Sequence, residues 1–483
     1  MEYFIYILIA IAVLLVCLIG VVIIRTLLFK PKKSTIVIQE NKESFDEDKV
    51  VSNLQELIKC KTISYRDSQL EDDKEFEKFL NLLPSLYPNV YKQCSLLKFE
   101  GRGLLFKWEG KCHDNPSVMM AHYDVVPVNE KEWERDPFDP VIINGEMWGR
   151  GTVDTKITFN GAMSAADQLI AEGFVPENDI YLAFSGSEEV NGVGAIKIVD
   201  YFEENKINLA LVVDEGGAVV EGVFPGVKEP CALVGIAEKG MINVEYTTKS
   251  RGGHASSPKP HTPVGVLSRA CTRIESHPFK MKISEPVKLL FDSLGRYTSF
   301  PVRMIFANMW LFKPALNLAG KLMGGEINAI IRTTCAFTQM KGSSAENVIP
   351  PQASMVSNLR LIPGDTIDSA IEYLNKTIKD DSVKLRVING MNPSRVSQVD
   401  CQAYDKVASS IASTWKDTIV IPYLMVACSD SRHYGRISDK VYRFSASDLT
   451  NEERAGIHGN NEKIRVDVVK RAVEFYLRLL KQC

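Results

Sequence analysis

The chain has 483 residues, a length that suggests roughly two to four domains. Its 45% apolar and 24% charged residues are typical of a globular protein with a large core. The formal net charge of -3 gives no basis for a nucleic-acid partner. The 10 cysteines have neither a Cys-x-x-Cys pair nor a regular spacing, which predicts core thiols rather than zinc ligands or a disulfide framework.

The first apolar segment, from Tyr3 to Ile24, carries no charged residue. A helix needs about 20 such residues to cross the hydrocarbon core of a bilayer. The alternative is a secretory signal peptide, but its apolar region is about 7–15 residues long and is followed by a small-x-small cleavage site. Neither property fits, so we predict an uncleaved membrane anchor over residues 1–29, which contacts the bilayer through residues 3–24.

A polar tether over residues 30–48 follows the predicted anchor. Arg25, Lys30, Lys32 and Lys33 lie after the span, and the positive-inside rule would therefore place the large domain in the cytoplasm. A single span with a very short N-terminal tail makes this rule weak. We therefore leave open the side of the membrane on which the domain lies.

Residues 49–239 alternate between helical and strand patterns, which predicts an α/β domain with a mostly parallel sheet. Apolar residues at helical spacing predict the helices, and short apolar runs predict the strands. The predicted helices are 49–58, 76–86, 161–172 and 194–204, and the predicted strands are 103–108, 117–121, 180–184 and 209–213.

A second domain over residues 240–392 has the order β-α-β-β-α-β of a split-βαβ (α+β) sandwich. A helical insertion near residues 279–327 interrupts it, and the α/β pattern returns over residues 393–483. The strands are predicted at 241–247, 332–339, 353–361 and 383–388, and the helices at 263–274 and 366–378. The smaller domain is thus inserted into the larger one, and a cleft between two domains is the default binding site.

Glu188 and Glu189 follow the predicted strand 180–184 after a short Ser-Gly turn. Two adjacent carboxylates allow one to bind a cation while the other moves a proton. Without further motifs, a solvent-exposed glutamate pair without a function would be the better interpretation. Similarly, His122 and Asp124 end another apolar strand and can face the same side, but a lone histidine here is more often a core residue.

Three further polar residues follow strands or glycine turns, namely Asp154 after Gly151, Asp214 after the strand 209–213, and His458 before the last helix. In a parallel α/β sheet, ligands bind at the carboxyl ends of the strands. Two histidines and three carboxylates at that edge suit a pair of divalent metals bridged by one carboxylate and a water. The mixed nitrogen and oxygen ligands favour zinc, with cobalt or manganese as alternatives.

The combined motifs resemble those of the aminoacylase and carboxypeptidase S family of co-catalytic zinc hydrolases. The matches run in the family's order from about Lys49 to the C-terminus. They are His122-Tyr-Asp124-Val-Val-Pro127, Gly149-Arg-Gly-Thr-Val-Asp154-Thr-Lys156, Glu188-Glu189, Gly252-Gly-His254-Ala-Ser-Ser-Pro258, Asn347-Val-Ile-Pro350, Arg360 before Leu-Ile-Pro-Gly364, Ser429-Asp430-Ser431-Arg432-His433-Tyr434 and His458-Gly-Asn-Asn-Glu462.

The resemblance implies a role for each candidate residue. Asp154 bridges two zinc ions, of which one is also bound by His122 and Asp214 and the other by Glu189 and His458. Glu188 acts as the general base, Asp124 orients His122, and His254 on the lid domain stabilises the oxyanion. Asn347, Arg360 and Arg432 lie near the substrate, where an arginine suits bidentate binding of a carboxylate.

Two positions depart from the family pattern. Thr155 follows the bridging aspartate where relatives often have Asp or Met, and Gly186-Ser187 precedes the glutamates where an acidic residue or Thr is frequent. Neither change removes a predicted ligand. Related proteins also form dimers through the lid, so a monomer and a homodimer both remain open.

We therefore expect a membrane-anchored di-zinc hydrolase that cleaves an amide bond next to a free carboxylate in small peptides, as a carboxypeptidase or dipeptidase does. A water held between the metal ions attacks the carbonyl while Glu188 takes its proton. One alternative is an N-acyl-amino-acid hydrolase with the same mechanism, and another is a non-catalytic scaffold. The apolar residues 300–322 of the insertion either pack on the lid, line an acyl pocket or touch the bilayer.

Overall fold

The computed structural model describes residues 2–32, 36–222 and 226–483. Met1 of the predicted anchor, and Lys33 with residues 34–35 of the predicted tether, lie outside these ranges. The chain folds into two compact units. The small unit is Met1–Lys30, Ala237–Val396 and Leu424–Cys428, and the large unit is Pro31–Ile236, Ser397–Tyr423 and Ser429–Cys483.

The chain begins with one long apolar helix, α1 (Glu2–Leu28). Its segment Tyr3–Leu28 has 26 residues and a mean hydropathy of 3.6, and only 6% of its most apolar part is buried. By length and composition this helix is able to cross a membrane, and a signal sequence has the same properties.

The first part of the large unit alternates helices and strands, as the sequence predicts. Helix α2 begins after Asp46, whose side chain accepts a hydrogen bond from the Lys49 N–H at 2.9 Å, and Asp72 caps α3 in the same way. The helices are α2 (Glu47–Ile58), α3 (Asp73–Leu86), α4 (Pro88–Gln93), α5 (Lys156–Ala171) and α6 (Gly194–Glu204); the strands are β1 (Ser95–Phe99), β2 (Gly103–Trp108), β3 (Cys112–His122), β4 (Ile142–Ile143), β5 (Glu146–Trp148), β6 (Asn178–Ser185), β7 (Leu211–Val220) and β8 (Cys231–Glu238).

The small unit contains the lid domain and the helical insertion. Its strands are β9 (Gly240–Lys249), β10 (Gly253–His254), β11 (Thr334–Lys341), β12 (Val348–Ile349), β13 (Gln352–Leu361) and β14 (Lys384–Met391). Its helices are α7 (Pro263–Ser276), α8 (Glu285–Gly295), α9 (Phe300–Ala307), α10 (Met309–Met323), α11 (Gly325–Ile331) and α12 (Ile367–Ile378), of which α8 to α11 form the insertion.

The lid sheet is a four-stranded antiparallel sheet in the order β11-β13-β9-β14. Buried and half-buried residues alternate along β9 and β13, so one face of the sheet is turned to a core. That core joins residues such as Ile242 and Met355 of the sheet to Leu267 of α7 and Leu374 of α12. The predicted split-βαβ lid is therefore confirmed.

The chain ends with the elements that complete the large unit. They are α13 (Gln402–Thr414), β15 (Ile419–Met425), β16 (Val441–Asp448), α14 (Asn451–Gly456), β17 (Lys463–Arg465) and α15 (Val466–Leu480). Strand β17 pairs with β5, and β5 with β4, in a small antiparallel sheet. This pairing brings the segment that contains His458 next to the loop after Trp148.

The main sheet has eight strands in the order β1-β2-β6-β3-β7-β16-β8-β15. The four central strands, β6, β3, β7 and β16, are parallel, whereas β1, β2 and β8 pair antiparallel with their neighbours. The predicted α/β class is thus confirmed, with the parallel part confined to the centre. Strand β16 was not predicted because the fully buried Arg443 and two serines interrupt its apolar pattern.

Candidate metal centre

Two neighbouring parallel strands bring the first candidate residues together. In the register of β3 and β6, His122 pairs with Ser185, so the end of β3 lies beside the turn that carries the two glutamates. His122 is 2% exposed and Asp124 is fully buried. The carboxyl ends of these strands therefore form one edge of the site, as the sequence predicts.

Asp124 holds the turn of the glutamate pair. The backbone N–H groups of Glu188 and Glu189 donate to its Oδ1 and Oδ2 at 3.1 and 3.2 Å, and the Ser64 hydroxyl donates to Oδ2 at 2.7 Å. His122 Nδ1 lies 3.0 Å from the Asp124 backbone carbonyl and 3.5 Å from its carboxylate. The sequence predicted that Asp124 orients His122, whereas its carboxylate makes its shorter contacts with the glutamate turn.

Asp154 lies between the two histidines. Its Oδ1 is 3.0 Å from His122 Nε2, and its Oδ2 is 3.1 Å from His458 Nε2. Glu189 Oε2 lies 3.1 Å from the same nitrogen of His458. A carboxylate whose two oxygens face different imidazoles could bridge two cations that these imidazoles also bind.

Glu215, the residue after the predicted ligand Asp214, faces His122. Glu215 Oε1 lies 3.3 Å from His122 Nε2, while Asp214 Oδ2 accepts a hydrogen bond from the Ser431 N–H at 2.8 Å. The predicted strand ended at Val213, but β7 continues to Val220, and its register with β16 shifts between Asp214 and Gly217. A β-bulge breaks the alternation of side chains, which explains this difference from the prediction.

Glu462 fixes the loop that carries Asp154. It is fully buried, and it accepts hydrogen bonds from the N–H groups of Gly151, Val153 and Asp154 at 3.1, 2.7 and 3.2 Å. Its carboxylate also pairs with Arg150 at 2.6 Å. In the sequence analysis Glu462 was only the last residue of the His458 motif, and we predicted no function for it. The signal that could have revealed its pairing was an arginine in one motif, Arg150, and a glutamate in another.

The two positions that depart from the family pattern have structural roles. The Thr155 hydroxyl donates to Thr158 Oγ1 at 2.7 Å, at the start of α5. The Ser187 hydroxyl donates to the Gly101 carbonyl at 3.0 Å. A Cβ at Gly186 would lie 2.6 Å from the Tyr123 ring, so this position needs a glycine.

Burial and neighbouring charges shift the pKa values of the carboxylates in this site. Burial raises the pKa of Glu215 to about 8, although His122 opposes this shift. Burial also raises the pKa values of Glu188 and Glu189, and neighbouring carboxylates add to both shifts. The pKa of Asp154 is lowered because two histidines donate to it, which outweighs its burial.

The pKa values of the two imidazoles are also raised. Hydrogen bonds to Asp154 and Glu189 raise the pKa of His458 to about 10. Burial opposes protonation of His122, but Glu215, Asp124 and Asp154 together raise its pKa well above the usual value. Both histidines thus lie in a strongly negative potential, which a bound cation would also favour.

The donor atoms fit metal ions. One group of atoms within 4.8 Å of one another comes from His122, Glu188 and Glu215, and a second comes from His122, Asp154 and Glu189. Glu189 Oε1 is buried and accepts no hydrogen bond from a described residue. An orphaned carboxylate oxygen costs free energy unless a cation satisfies it, so the geometry suits one or two divalent ions. Nitrogen and oxygen donors of this kind are those of zinc, cobalt or manganese sites.

Arg432 lies on the edge of the cluster. Its Nη1 is 3.9 Å from Glu188 Oε1 and donates to the Ser429 carbonyl at 3.0 Å, while Nη2 donates to Asn191 Oδ1 at 2.9 Å. Its guanidinium is thus fixed beside the predicted base.

Three predicted residues belong to the small unit. His254 is exposed in β10, where it pairs with Val348, and its Nδ1 accepts from the Ser256 N–H at 3.1 Å. The exposed Asn347 accepts from the Ala255 N–H through its carbonyl at 3.0 Å, so the two segments are joined. Arg360 lies in β13, and its Nε donates to Asn358 Oδ1 at 3.3 Å. The roles of these three residues stay predictions.

The sequence is similar to those of known proteins over most of its length. The model of the peptidase family M20/M25/M40 matches residues 118–482. The chain belongs to this family. It is 34% identical to a Dictyostelium discoideum protein named "Probable carboxypeptidase S-like 2", over 97% of this chain and 92% of that protein. It is also 34% identical to N-fatty-acyl-amino acid synthase/hydrolase PM20D1 of Xenopus tropicalis, over 97% of this chain and 93% of the relative.

Solved structures of the family share the fold. The M20 family metallo-carboxypeptidase of Sulfolobus solfataricus matches with a TM-score of 0.63 and 19% identity, over 90% of this chain and 99% of that chain. Human carnosine dipeptidase 1 matches with a TM-score of 0.63 and 13% identity, over 90% and 96%.

The M20 chain is therefore a metallo-hydrolase, and the resemblance found in the sequence is confirmed. The alternative of a non-catalytic scaffold is not retained. The relatives are named as carboxypeptidase S-like proteins and N-fatty-acyl-amino acid hydrolases, and this chain has residues that could hold a metal ion in the positions described above.

Proposed function

We propose that the chain is a membrane-anchored hydrolase with two zinc ions, which cleaves an amide bond next to a free carboxylate in small peptides. One observation carries the proposal: each oxygen of Asp154 faces a different histidine, at 3.0 and 3.1 Å. A half-buried carboxylate placed between two imidazoles suits a bridge between two cations.

The ligand sets follow from the same contacts. Asp154, His122 and Glu215 would hold one ion, and Asp154, Glu189 and His458 would hold the other. We assign Glu215 rather than Asp214 because Glu215 Oε1 lies 3.3 Å from His122 Nε2, whereas Asp214 Oδ2 accepts a hydrogen bond from the Ser431 N–H. When bound, zinc ions supply the Lewis acidity that polarises a carbonyl and makes a water acidic near neutral pH.

Glu188 is the general base in this proposal. Its backbone N–H donates to Asp124, and its side chain is 12% exposed beside Arg432. It takes the proton of the attacking water and passes it to the leaving amine, as a single carboxylate can do in both steps.

Arg432 is the candidate for binding the free carboxylate of the substrate. Its guanidinium is held by Ser429 and Asn191 beside Glu188, and such a fixed planar fork suits a carboxylate. The substrate roles of His254, Asn347 and Arg360 in the lid domain remain predictions. A carboxylate that faces Arg432 would place the adjacent amide near Glu188.

A second candidate is the hydrolysis of N-acyl amino acids. The PM20D1 relative is named for N-fatty-acyl-amino acids, which supports this candidate. The cleaved bond and the catalytic residues are the same in both cases.

A panel of substrates tests both candidates. The full-length protein in detergent is stripped with a chelator, reloaded with zinc, cobalt or manganese, and assayed on dipeptides, long-chain N-acyl amino acids and their C-terminal carboxamides. We expect metal-dependent cleavage of the free acids and at least about 10-fold slower cleavage of the carboxamides. Equal cleavage of acids and carboxamides would contradict the requirement for a free carboxylate next to the cleaved amide. The ratio of the cleavage rates of dipeptides and N-acyl amino acids selects between the two candidates.

The membrane anchor needs a separate test. The α1 segment has the length and composition of a span. We expect the protein to stay in the membrane pellet after alkaline carbonate extraction, with its N-terminus intact by mass spectrometry. Release of a chain that lacks residues 1–29 would instead identify a signal peptide. Protease accessibility in sealed membranes then gives the side on which the enzyme lies.

A further inference from the structure

The last turns of α1 are packed against the insertion within the small unit. Val22 is 7% exposed and Thr26 is fully buried, whereas most of the rest of α1 is exposed. The buried Asn308 donates through Nδ2 to the Val22 carbonyl and to Thr26 Oγ1, both at 3.2 Å. Arg25 donates from Nε and Nη2 to the Ala307 carbonyl at 3.3 and 3.0 Å. The junction of α9 and α10 is thus bonded to the end of α1.

A second attachment lies one helix earlier. Arg296 donates from Nη1 to the Lys30 carbonyl at 2.9 Å, and its guanidinium lies 4.3 Å from the centre of the Phe29 ring. A Cβ at Gly295 would lie 2.9 Å from Phe29, so the end of α8 approaches α1 closely. These contacts fix the insertion at the point where α1 ends.

That point has a defined depth if α1 spans a bilayer. About 20 residues cross the hydrocarbon core, and counted from Tyr3 they end near Val22. Val22 and Thr26 therefore lie where the helix enters the headgroup region. Because Asn308 is bonded to both residues, the start of α10 lies at the same depth.

The outer face of α10 is apolar. Leu311, Leu318 and Leu322 follow one another at spacings of seven and four residues, so they share one face of the helix. They are 37%, 57% and 77% exposed, whereas Gly320 on the opposite side is buried. Trp310 is 55% exposed beside this stripe. A helix exposed to water normally presents polar residues on its outer face.

The charges around this stripe have one sign. From Phe300 to Met323 the chain contains Arg303, Lys313 and Lys321 and no acidic residue. Lys313, Lys321 and Trp310 also line a cavity of about 490 Å³ together with Lys280. Basic side chains next to an exposed tryptophan and leucines are the pattern of a helix in an anionic membrane interface.

We propose that α9 and α10 form a second membrane contact, in which α10 lies in the headgroup region of the bilayer that α1 spans. Leu311, Leu318 and Leu322 enter the acyl boundary, and Lys313 and Lys321 bind the phosphates of anionic lipids. The inference rests on the anchor of the proposed function and goes beyond it, because it assigns a lipid-binding role to the insertion.

Tryptophan fluorescence tests this contact in the full-length protein. Of the 5 tryptophans, Trp108, Trp133 and Trp415 are at most 8% exposed and Trp148 is half-buried, so Trp310 is the exposed reporter. The protein is reconstituted into vesicles of anionic lipid with bromine on the upper acyl chain. We expect quenching of a fluorescence component that Trp310→Phe abolishes. The same fractional quenching in wild type and Trp310→Phe would overturn the proposal.

Matched variants separate the parts of the proposal. We expect the double variant L318E/L322E to lose the quenching of Trp310, while Leu70→Glu, at a 64% exposed leucine of the large unit, keeps it. We expect K313E/K321E to reduce quenching in anionic vesicles more than in zwitterionic ones. Equal loss with Leu70→Glu, or no effect of either double variant, would contradict the assignment.

Two controls distinguish other failures. Carbonate extraction of the same vesicles reports the anchor, so an extracted protein overturns both the anchor and this contact. An embedded protein without quenching overturns the contact alone. If α10 instead faces a second copy of the chain, Trp310 is unquenched and the detergent-solubilised protein has the mass of a dimer. Hydrolysis of a short dipeptide in detergent shows independently whether the active site is intact.

Discussion

In the large unit, the negative charge of Glu462 is balanced differently from that of the cluster Glu188, Glu189 and Glu215. Glu462 is fully buried, and Arg150 and three backbone N–H groups satisfy it. The side chains of Glu188, Glu189 and Glu215 are 12%, 6% and 13% exposed, and they face two histidines and one another. Glu189 even has an oxygen without a hydrogen bond among the described residues.

This difference indicates a structural role for Glu462 and a cation-binding role for the other carboxylates. A carboxylate with an arginine and backbone donors needs nothing more, and its role is to hold a loop. A group of carboxylates without matching donors costs stability unless a cation joins it. The two groups meet at Asp154, since Glu462 binds its backbone N–H while its side chain faces the histidines.

The strongest test of this comparison is Glu188→Gln. The amide keeps the size of the side chain but cannot take a proton, so we expect turnover to fall about 10²–10⁴-fold with the metal content unchanged. Glu204→Gln, on the exposed end of α6, is the matched control and should leave both unchanged. Activity close to wild type in Glu188→Gln would remove Glu188 from the mechanism.

The satisfied group is tested with Glu462→Gln. The change leaves Arg150 without its charged partner, which should lower the free energy of unfolding by about 3–5 kcal/mol. The loop with Asp154 should also loosen, so metal binding weakens. Asp179→Asn is the control, because Asp179 is 2% exposed and bonded to Gly110 and His113, far along β6 from the glutamates. The Asp179→Asn variant should lose stability but keep its metal ions. Unchanged metal affinity in Glu462→Gln would contradict the expectation that Glu462 supports the metal site through the loop of Asp154.

Asp124 links the backbone of the glutamate turn to the site. In Asp124→Asn one of the two N–H groups faces an amide NH₂ instead of an oxygen, and we expect metal affinity to fall about 10–100-fold. Ser64→Ala removes only one donor to Asp124 and should have a smaller effect in the same direction. Competition with a chelator measures both affinities. A larger loss in Ser64→Ala would show that Asp124 acts in another way.

The smallest expected effect is a pH dependence of stability at Asp179. Burial raises its pKa, but hydrogen bonds from Gly110, His113 and Lys107 outweigh this and lower the pKa below the usual value. The ionised form thus stabilises the fold above the unfolded pKa of about 3.9, and this contribution is lost as the pH falls through the folded pKa. Asp179→Asn should cost about 1.5–3 kcal/mol at pH 7. Urea unfolding should show that the difference in free energy of unfolding between wild type and Asp179→Asn is smaller at about pH 3 than at pH 7. The same difference at both pH values would contradict a lowered pKa of Asp179.

Much of the site was visible in the sequence because its residues follow strands and tight turns. His122, Asp154, Glu189 and His458 come together in the structure as the motif order suggested. Glu215 was missed because the bulge in β7 is a property of its pairing with β16, which the sequence pattern did not reveal.

Long-range contacts account for the rest. Glu462 and Arg150 lie on segments far apart in the sequence that the pairing of β17 with β5 brings together. Similarly, nothing in the apolar pattern of α9 and α10 indicated that Asn308 bonds to α1. The fold class was predictable from periodicity, whereas these partners depend on which polar groups meet after the chain has folded.

Metal analysis of three proteins tests the central claim most directly. Wild type, Glu215→Gln and Asp214→Asn are purified, loaded with zinc, freed of excess ions and measured by mass spectrometry for zinc per chain. The carboxylates that face the histidines predict two zinc ions in wild type, about one in Glu215→Gln, and two in Asp214→Asn. A wild-type protein without bound zinc, or a loss of zinc in Asp214→Asn with none in Glu215→Gln, would contradict the account.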